Sequence, residues 1–200
     1  MTPRKRTKSA VQSGAPSMYN RIMKTITLVT GNPGKLVEWQ RLFPKNITLE
    51  SADIDLDEIQ SMDLEAIIAD KAKRAYAVIG KPVLVEDVAA GLVKLGGLPG
   101  PFIKYFELEL GLDALFKLAE KEGDAAIVTC TIGYYDGSSL ITARYDVEGT
   151  VVPSRGSNGF GFDRVFVPKG QTKTYGEMTP AEKDVISHRA NAIKLLVTQL

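Results

Sequence analysis

Cysteine, histidine and tryptophan each occur once in this chain of 200 residues. The single cysteine, Cys130, excludes an internal disulfide, and its setting in "IVTCTI" suits a small buried core residue. The single histidine, His188, excludes a metal centre built from several imidazoles. No apolar run approaches the roughly 20 residues that a bilayer-crossing helix needs. These scarcities point to a soluble protein of a reducing compartment, expected in the cytoplasm and away from membranes. Acidic residues are missing from residues 1–24, which carry Arg4, Lys5, Arg6, Lys8, Arg21 and Lys24.

That basic segment has a balance of +6, while the other 176 residues hold 19 basic and 24 acidic side chains, a balance of −5. It is polar, rich in Ser, Pro and Gly, and lacks periodicity, which predicts a disordered extension. "PRKRTK" leaves nuclear or organellar targeting and nucleic-acid binding open beside the plainer reading of a solvated tail. A net acidic remainder disfavours a broad phosphate-backbone surface, so nucleic acid is not the expected partner. With 44% apolar residues, positions 25–200 suffice for one domain with a substantial core.

Periodicity supplies the elements. "TITLVT" reads as a buried strand and "NITLESADI" as another. Pro33 to Phe43 turns helical. Asp63 is placed to cap a helix through Ile79, with Leu64, Ile67, Ile68, Ala72, Ala75, Tyr76 and Ile79 on one stripe. "KPVLVED" reads as a strand ending at two carboxylates. Residues 103–122 are helical, and "DG" at 136–137 predicts a long hairpin. "RVFVP" is a further strand. Thr179-Pro180-Ala181-Glu182 is a capping box that starts a helix running toward the C-terminus. The expected fold is α/β, with a central mixed, partly antiparallel sheet in one domain of residues 25–200 built as two lobes.

Four stretches bear chemistry. In "TGNPGK", Gly31, Gly34 and Lys35 resemble a phosphate loop, but the glycines stand too close, and Leu36 replaces the metal-binding hydroxyl. A strand-to-helix junction still aims backbone N–H groups at an anion, with Asn32 and Lys35 as donors, although an ordinary turn carries the same residues. In "VLVEDVA", alternation sends Glu86 and Asp87 to opposite sides of a strand. Either could hold a divalent cation or activate water, and Glu58 in "DLDEIQ" is a further candidate or a solvated loop residue. "SNGFGFDRVFVP" offers Phe160 and Phe162 for stacking on a flat base and Asp163 as an acceptor, or simply core phenylalanines. "AEKDVISHRANA" sets Lys183, Ser187, His188 and Arg189 close together as donors.

Taken in this order, "TGNPGK", "VLVEDVAAGLVKLGGLPGPFIKYF", "GFGFDRVFVP" and "TPAEKDVISHRANA" closely resemble the signatures of the inosine triphosphate pyrophosphatase family, over about residues 25–198. The resemblance implies an elongated α/β homodimer that hydrolyses ITP, dITP and XTP to the monophosphate and pyrophosphate. Magnesium would assist, with manganese able to substitute. By motif, Thr30, Gly31, Asn32, Pro33, Gly34 and Lys35 would hold the triphosphate. Glu58 and Asp87 would be metal ligands, and Lys71, Lys104 and Val88 would face the substrate. Phe160, Gly161, Phe162 and Asp163 would stack on and read the base, completed by Lys183, Ser187, His188 and Arg189. Asp87 is the first candidate to position or deprotonate water and Glu86 the second, with Lys35 neutralising developing charge. A related pyrophosphatase with another base preference, and a nucleic-acid binder using the tail, are the competing readings.

Overall fold

The computed structural model describes residues 25–200. The basic extension, expected to be disordered, lies outside the described residues. Strands β1 (Thr25–Val29), β2 (Thr48–Ala52), β3 (Val83–Leu92), β4 (Pro99–Gly100), β5 (Ala125–Tyr135), β6 (Leu140–Val151) and β7 (Phe166–Pro168) form one seven-stranded sheet. Its order is β2-β1-β3-β5-β6-β7, with β4 paired on β3. The pairings β1–β2 and β1–β3 are parallel and the others antiparallel, so the sheet is mixed as expected. The hairpin around Asp136-Gly137 joins β5 to β6.

Helices α1 (Pro33–Leu42) and α6 (His188–Val197) cover one face of the sheet, α6 lying on β5 and β6. There Ile26, Leu28, Trp39, Leu84, Ile132, Ile193 and Leu196 form one buried cluster. The opposite face carries α2 (Leu64–Ile79), whose Ile68, Ala72 and Ala75 pack on Val29, Val83 and Val85. Each such aliphatic side chain contributes about 1.5–3 kcal/mol by leaving water. Asp63 caps α2 as expected, accepting from the N–H groups of Glu65 and Ala66. Another cluster gathers Ala90, Leu92, Ile103, Leu115, Val128, Phe162, Phe166 and Tyr175 against the far part of the sheet.

Three boundaries differ from the sequence reading, each for a local reason. Strand β3 does not end at Glu86 and Asp87. It loses β1 after Leu84 but keeps β5 as an antiparallel partner to Leu92. The helix expected over 103–122 divides into α3 (Ile103–Leu110) and α4 (Ala114–Lys117), because Gly111 turns to φ +91°, which a helix cannot contain. The C-terminal helix divides into α5 (Pro180–Ile186) and α6 at Ser187, which is extended at φ −69°, ψ 154°. Ser187 ends one helix and caps the next, its hydroxyl accepting from the Ala190 N–H at 3.2 Å.

Candidate active site

The start of α1 is built as an anion-facing turn. Asn32 Oδ1 accepts from the Lys35 N–H at 3.1 Å, and the Asn32 N–H donates to Thr30 Oγ1 at 3.1 Å. The cap uses the amide oxygen of Asn32, which leaves its NH2 group to donate outward. Both glycines are fixed by close approach. A Cβ on Gly31 would stand 2.5 Å from Asp53 Oδ1, and one on Gly34 would stand 2.5 Å from the Phe160 ring. Gly31, Asn32 and Pro33 are exposed, while Thr30, Gly34 and Lys35 are half-buried.

Below this turn, β3 has just passed the C-terminal end of β1, and its pleat separates two carboxylates. Asp87 shares the α2 face with Val83 and Val85 and is half-buried. Burial raises its carboxyl above the usual range. Lys35 and Lys71 pull it down, and the charges of Glu58 and Glu86 push it up again. Lys71, on α2, holds the Glu58 carboxylate and reaches the Glu86 carbonyl at 3.5 Å. Burial raises the Glu58 carboxyl, but Lys71, Lys35 and Lys104 outweigh it and hold it low. Thus Asp87, Glu58, Lys35, Lys71 and Lys104, from five separate parts of the chain, share one electrostatic neighbourhood. Among the described residues, no group of three or more His, Cys, Asp or Glu side chains is placed to hold a metal by itself.

Glu86 points the other way, into the core. Arg189 grips it through Nε to Oε2 and Nη2 to Oε1, both at 2.8 Å, and Trp39 Nε1 donates to Oε2 at 2.7 Å. Lys35 Nζ stands 3.3 Å from Oε1. Burial pushes the carboxyl up, yet Arg189 and Lys35 hold it well below the ordinary carboxylate range. The alternative of Glu86 as the base is therefore corrected: both oxygens are engaged by buried donors, which makes this carboxylate a poor proton acceptor. Val88, on the same face, is half-buried against two core clusters.

The donors expected to complete the base pocket are buried and mostly paired. Lys183, Ser187, His188, Arg189 and Asp163 are each at most 4% exposed. Lys183 Nζ donates to Glu38 Oε1 at 2.8 Å and to Asp163 Oδ2 at 2.7 Å, and Arg189 Nη1 bonds Glu38 Oε2. Burial raises the Glu38 carboxyl, but the Arg189 and Lys183 charges overcome it and hold it low. Asp163 Oδ2 also accepts from the Phe160 N–H at 2.8 Å, which folds the Gly161–Arg164 turn over the network. Burial together with Arg189 and Lys183 keeps His188 neutral, and its Nδ1 has no hydrogen-bond partner among the described residues.

The two phenylalanines do different things. Phe162 is buried and packs in the cluster against the far part of the sheet. Phe160 is half-buried, with Lys183 Nζ and Arg189 Cζ each 5.3 Å from its ring centre. Gly34, Glu38, Phe160, Tyr175, Met178 and Lys183 line part of a pocket of about 350 Å3 between α1 and α5. That lies within the ~300–1,000 Å3 usual for small-molecule sites. Glu38, Asp53 and Glu107 escaped the sequence reading. Glu38 had one available signal, a carboxylate beside Trp39 on the apolar stripe of α1. Asp53 and Glu107 reach their neighbours only through tertiary packing.

The arrangement thus puts an anion-binding helix start, a carboxylate pair among lysines and a small pocket floored by cations around the first turn of α1. The chain matches the Ham1 family over residues 26–199. It is 44% identical over 176 residues to the inosine triphosphate pyrophosphatase of Yarrowia lipolytica, covering 86% of this chain and 93% of that one. It is 37% identical over 174 residues to the enzyme of the same name from Schizosaccharomyces pombe, covering 84% and 90%. Among solved structures, a HAM1 protein from Coxiella burnetii superposes with a TM-score of 0.75 at 28% identity, over 88% of this chain and 98% of the other. Sequence and fold agree over the whole described domain, and this chain belongs to the Ham1 family.

Proposed function

We propose that this protein hydrolyses deaminated purine nucleoside triphosphates (ITP, dITP and XTP) to the monophosphate and pyrophosphate. Family membership supports the activity, and the observation that carries it to residues is the opposed pair on β3. Asp87 faces the lysine-lined anion site while its neighbour Glu86 anchors the cations beneath the pocket. The triphosphate takes the start of α1, where Thr30, Asn32, Lys35, Lys71 and Lys104 meet its charge. The base takes the pocket beside Phe160.

Glu58 and Asp87 fit a magnesium ion, which binds through one or two carboxylates together with substrate phosphates. The raised carboxyl of Asp87, with like charges on Glu58 and Glu86 nearby, is a site that gains from a cation. When bound, the ion neutralises phosphate charge and favours the leaving pyrophosphate. Asp87 positions or deprotonates the attacking water, and Lys35 and Lys71 stabilise charge on the phosphate oxygens.

Selectivity follows from donors left over. An ammonium has three N–H groups, and Lys183 uses two on Glu38 and Asp163. A guanidinium has five, and Arg189 uses three on Glu86 and Glu38. The remainder suits an acceptor such as the 6-oxo group of hypoxanthine or xanthine. The 6-amino group of adenine would face donors with donors.

Pyrophosphate release from ITP, XTP, GTP, ATP and dUTP, with magnesium and with chelator, tests this reading. Fast, metal-dependent release from ITP and XTP with slow ATP is expected, and slow GTP as well, since guanine shares the 6-oxo group and must be rejected at its 2-amino group. Equal rates on all five would refute the base selectivity, and dUTP preference would favour a pyrimidine enzyme. We also propose a cytoplasmic homodimer. Exposed Tyr105, Leu108, Leu110 and Leu112 supply an apolar surface, and sedimentation would test the assembly.

A further inference from the structure

Glu107 is a carboxylate where a leucine would be cheaper. It stands on α3, one turn after Lys104, and reaches across to the turn that carries Phe160. A Cβ built on Gly161 would lie 2.9 Å from Glu107 Oε1 and 3.1 Å from Oε2, so the carboxyl group rests on the Gly161 backbone. The Phe162 N–H lies on the same side and favours the charged form of the carboxyl. Its Oε1 is buried and has no hydrogen-bond partner among the described residues. A buried polar atom left unpaired costs about 1–3 kcal/mol, so a group kept there invites a functional account.

We propose that Glu107 is a positioning residue for the base-reading turn: from α3 its carboxyl holds the Gly161–Phe162 backbone, sets the place of Phe160 and Asp163, and thereby sets the affinity for the purine base. This rests on the substrate reading above. The backbone of the turn is otherwise tied to residues 155 and 176, the Gly176 N–H donating to the Asp163 carbonyl at 2.7 Å and the Arg155 N–H to the Arg164 carbonyl at 2.8 Å. Asp163 is tied to Lys183 and the Phe160 N–H, both on the pocket side.

The carboxyl has a consequence that a leucine or glutamine would not. Burial raises it to about 7, the Phe162 N–H opposes that, and the Asp163 charge adds to it. The charged groups around it are few. From the turn, Asp163 faces it and is itself paired with Lys183 of α5. On α4, Asp113 and Lys117 pair with each other at 2.9 Å. Strand β3 meets α3 through Ala90 and Leu92, and β4 is Pro99–Gly100, neither carrying a charge. On α3 itself, the charge of Lys104 acts on Glu58. Near neutral pH, Glu107 therefore changes between a neutral group packed on the turn and a charged one that burial and Asp163 disfavour. Above neutrality the turn loosens and the base is held less well.

The test uses full-length protein and two readouts. Backbone amide signals of Gly161 and Phe162 are followed by NMR from pH 6 to 8 in wild type and Glu107→Gln. KM and kcat for ITP are measured over the same range. The amides are expected to titrate near neutrality in wild type and not in the variant. KM is expected to rise several-fold, up to about tenfold, over that range in wild type and to stay flat in Glu107→Gln, with kcat moving less. Glu107→Leu, which takes the carboxyl away from the Gly161 backbone, should raise KM at every pH. Identical amide titrations, identical KM profiles or an unchanged KM in Glu107→Leu would each overturn the proposal. If wild type fails to cleave ITP, the substrate reading falls, and the amide titration still decides whether Glu107 governs the turn.

Discussion

Arg189 meets Glu86 through two parallel hydrogen bonds of 2.8 Å in the core, 103 residues apart in sequence. The pair joins the C-terminal helix to the central strand. With Trp39, Glu38, Lys183 and Asp163 it makes one connected buried network.

Breaking that pair should damage the fold as a whole. Arg189→Ala leaves Glu86 and Glu38 buried without their main counter-charge, which costs about 3–5 kcal/mol. Urea denaturation should show a lower midpoint with an unchanged slope. An unchanged midpoint would mean that water or a rearranged lysine replaces the guanidinium.

The same pair sets an acid limit. Glu86 and Glu38 have folded-state values below their unfolded ones, so their stabilisation is complete above the unfolded carboxylate range. It declines as pH falls through that range, and continues to decline far below it for Glu86. Melting temperature should drop progressively below about pH 5. In Arg189→Ala this slope should flatten, and an equal slope in both proteins would contradict the assignment.

Asp87→Asn separates chemistry from folding. Pyrophosphate release should fall by at least about 100-fold, because the substitution removes a base and a metal-facing charge together. Stability should hold or rise, since burial and the charges of Glu58 and Glu86 already disfavour the ionised carboxyl. A large loss of melting temperature would make Asp87 a structural residue.

Gly34→Ala should act on the base and not on the fold of the sheet. The new methyl group would stand 2.5 Å from the Phe160 ring and must move it. KM for ITP is expected to rise, with kcat less affected, while circular dichroism stays the same. A KM within experimental error of wild type would show that Phe160 does not define the pocket.

Lys183→Met tests selectivity. It keeps the aliphatic stem but removes the donor left for a 6-oxo group, so kcat/KM for ITP should fall by about 100-fold while the slow ATP rate changes little. Melting temperature should also fall, because Glu38 and Asp163 lose a partner. A preserved ITP to ATP ratio would remove Lys183 from base recognition.

Much of this was legible in the sequence, and what was not has physical causes. Strong local signals survived: the Asp63 cap, the Thr179 capping box, the hairpin at Asp136-Gly137 and the opposite facing of Glu86 and Asp87. Boundaries failed where tertiary pairing overrode local composition. Strand β3 continued past its carboxylates because β5 was there to pair with it, a fact held by residues 40 positions away. The site failed in one respect. The pairing of Lys183 and Arg189 was not legible because their carboxylate partners, Glu38 and Glu86, lie 145 and 103 residues away and no local pattern announces them. Phe162 and Phe160 are chemically identical, and only packing shows that one is core.

The pleat of β3 also acts as a ruler. Adjacent residues rise about 3.3 Å along a strand and face opposite sides. In the function proposed above, Glu86 anchors Arg189 beneath the base pocket and Asp87 serves the phosphate chemistry, with a single peptide bond between the two. A one-residue slip of β3 would exchange the two faces and disable recognition and chemistry at once, whereas substitutions in the surrounding loops can retune either end separately.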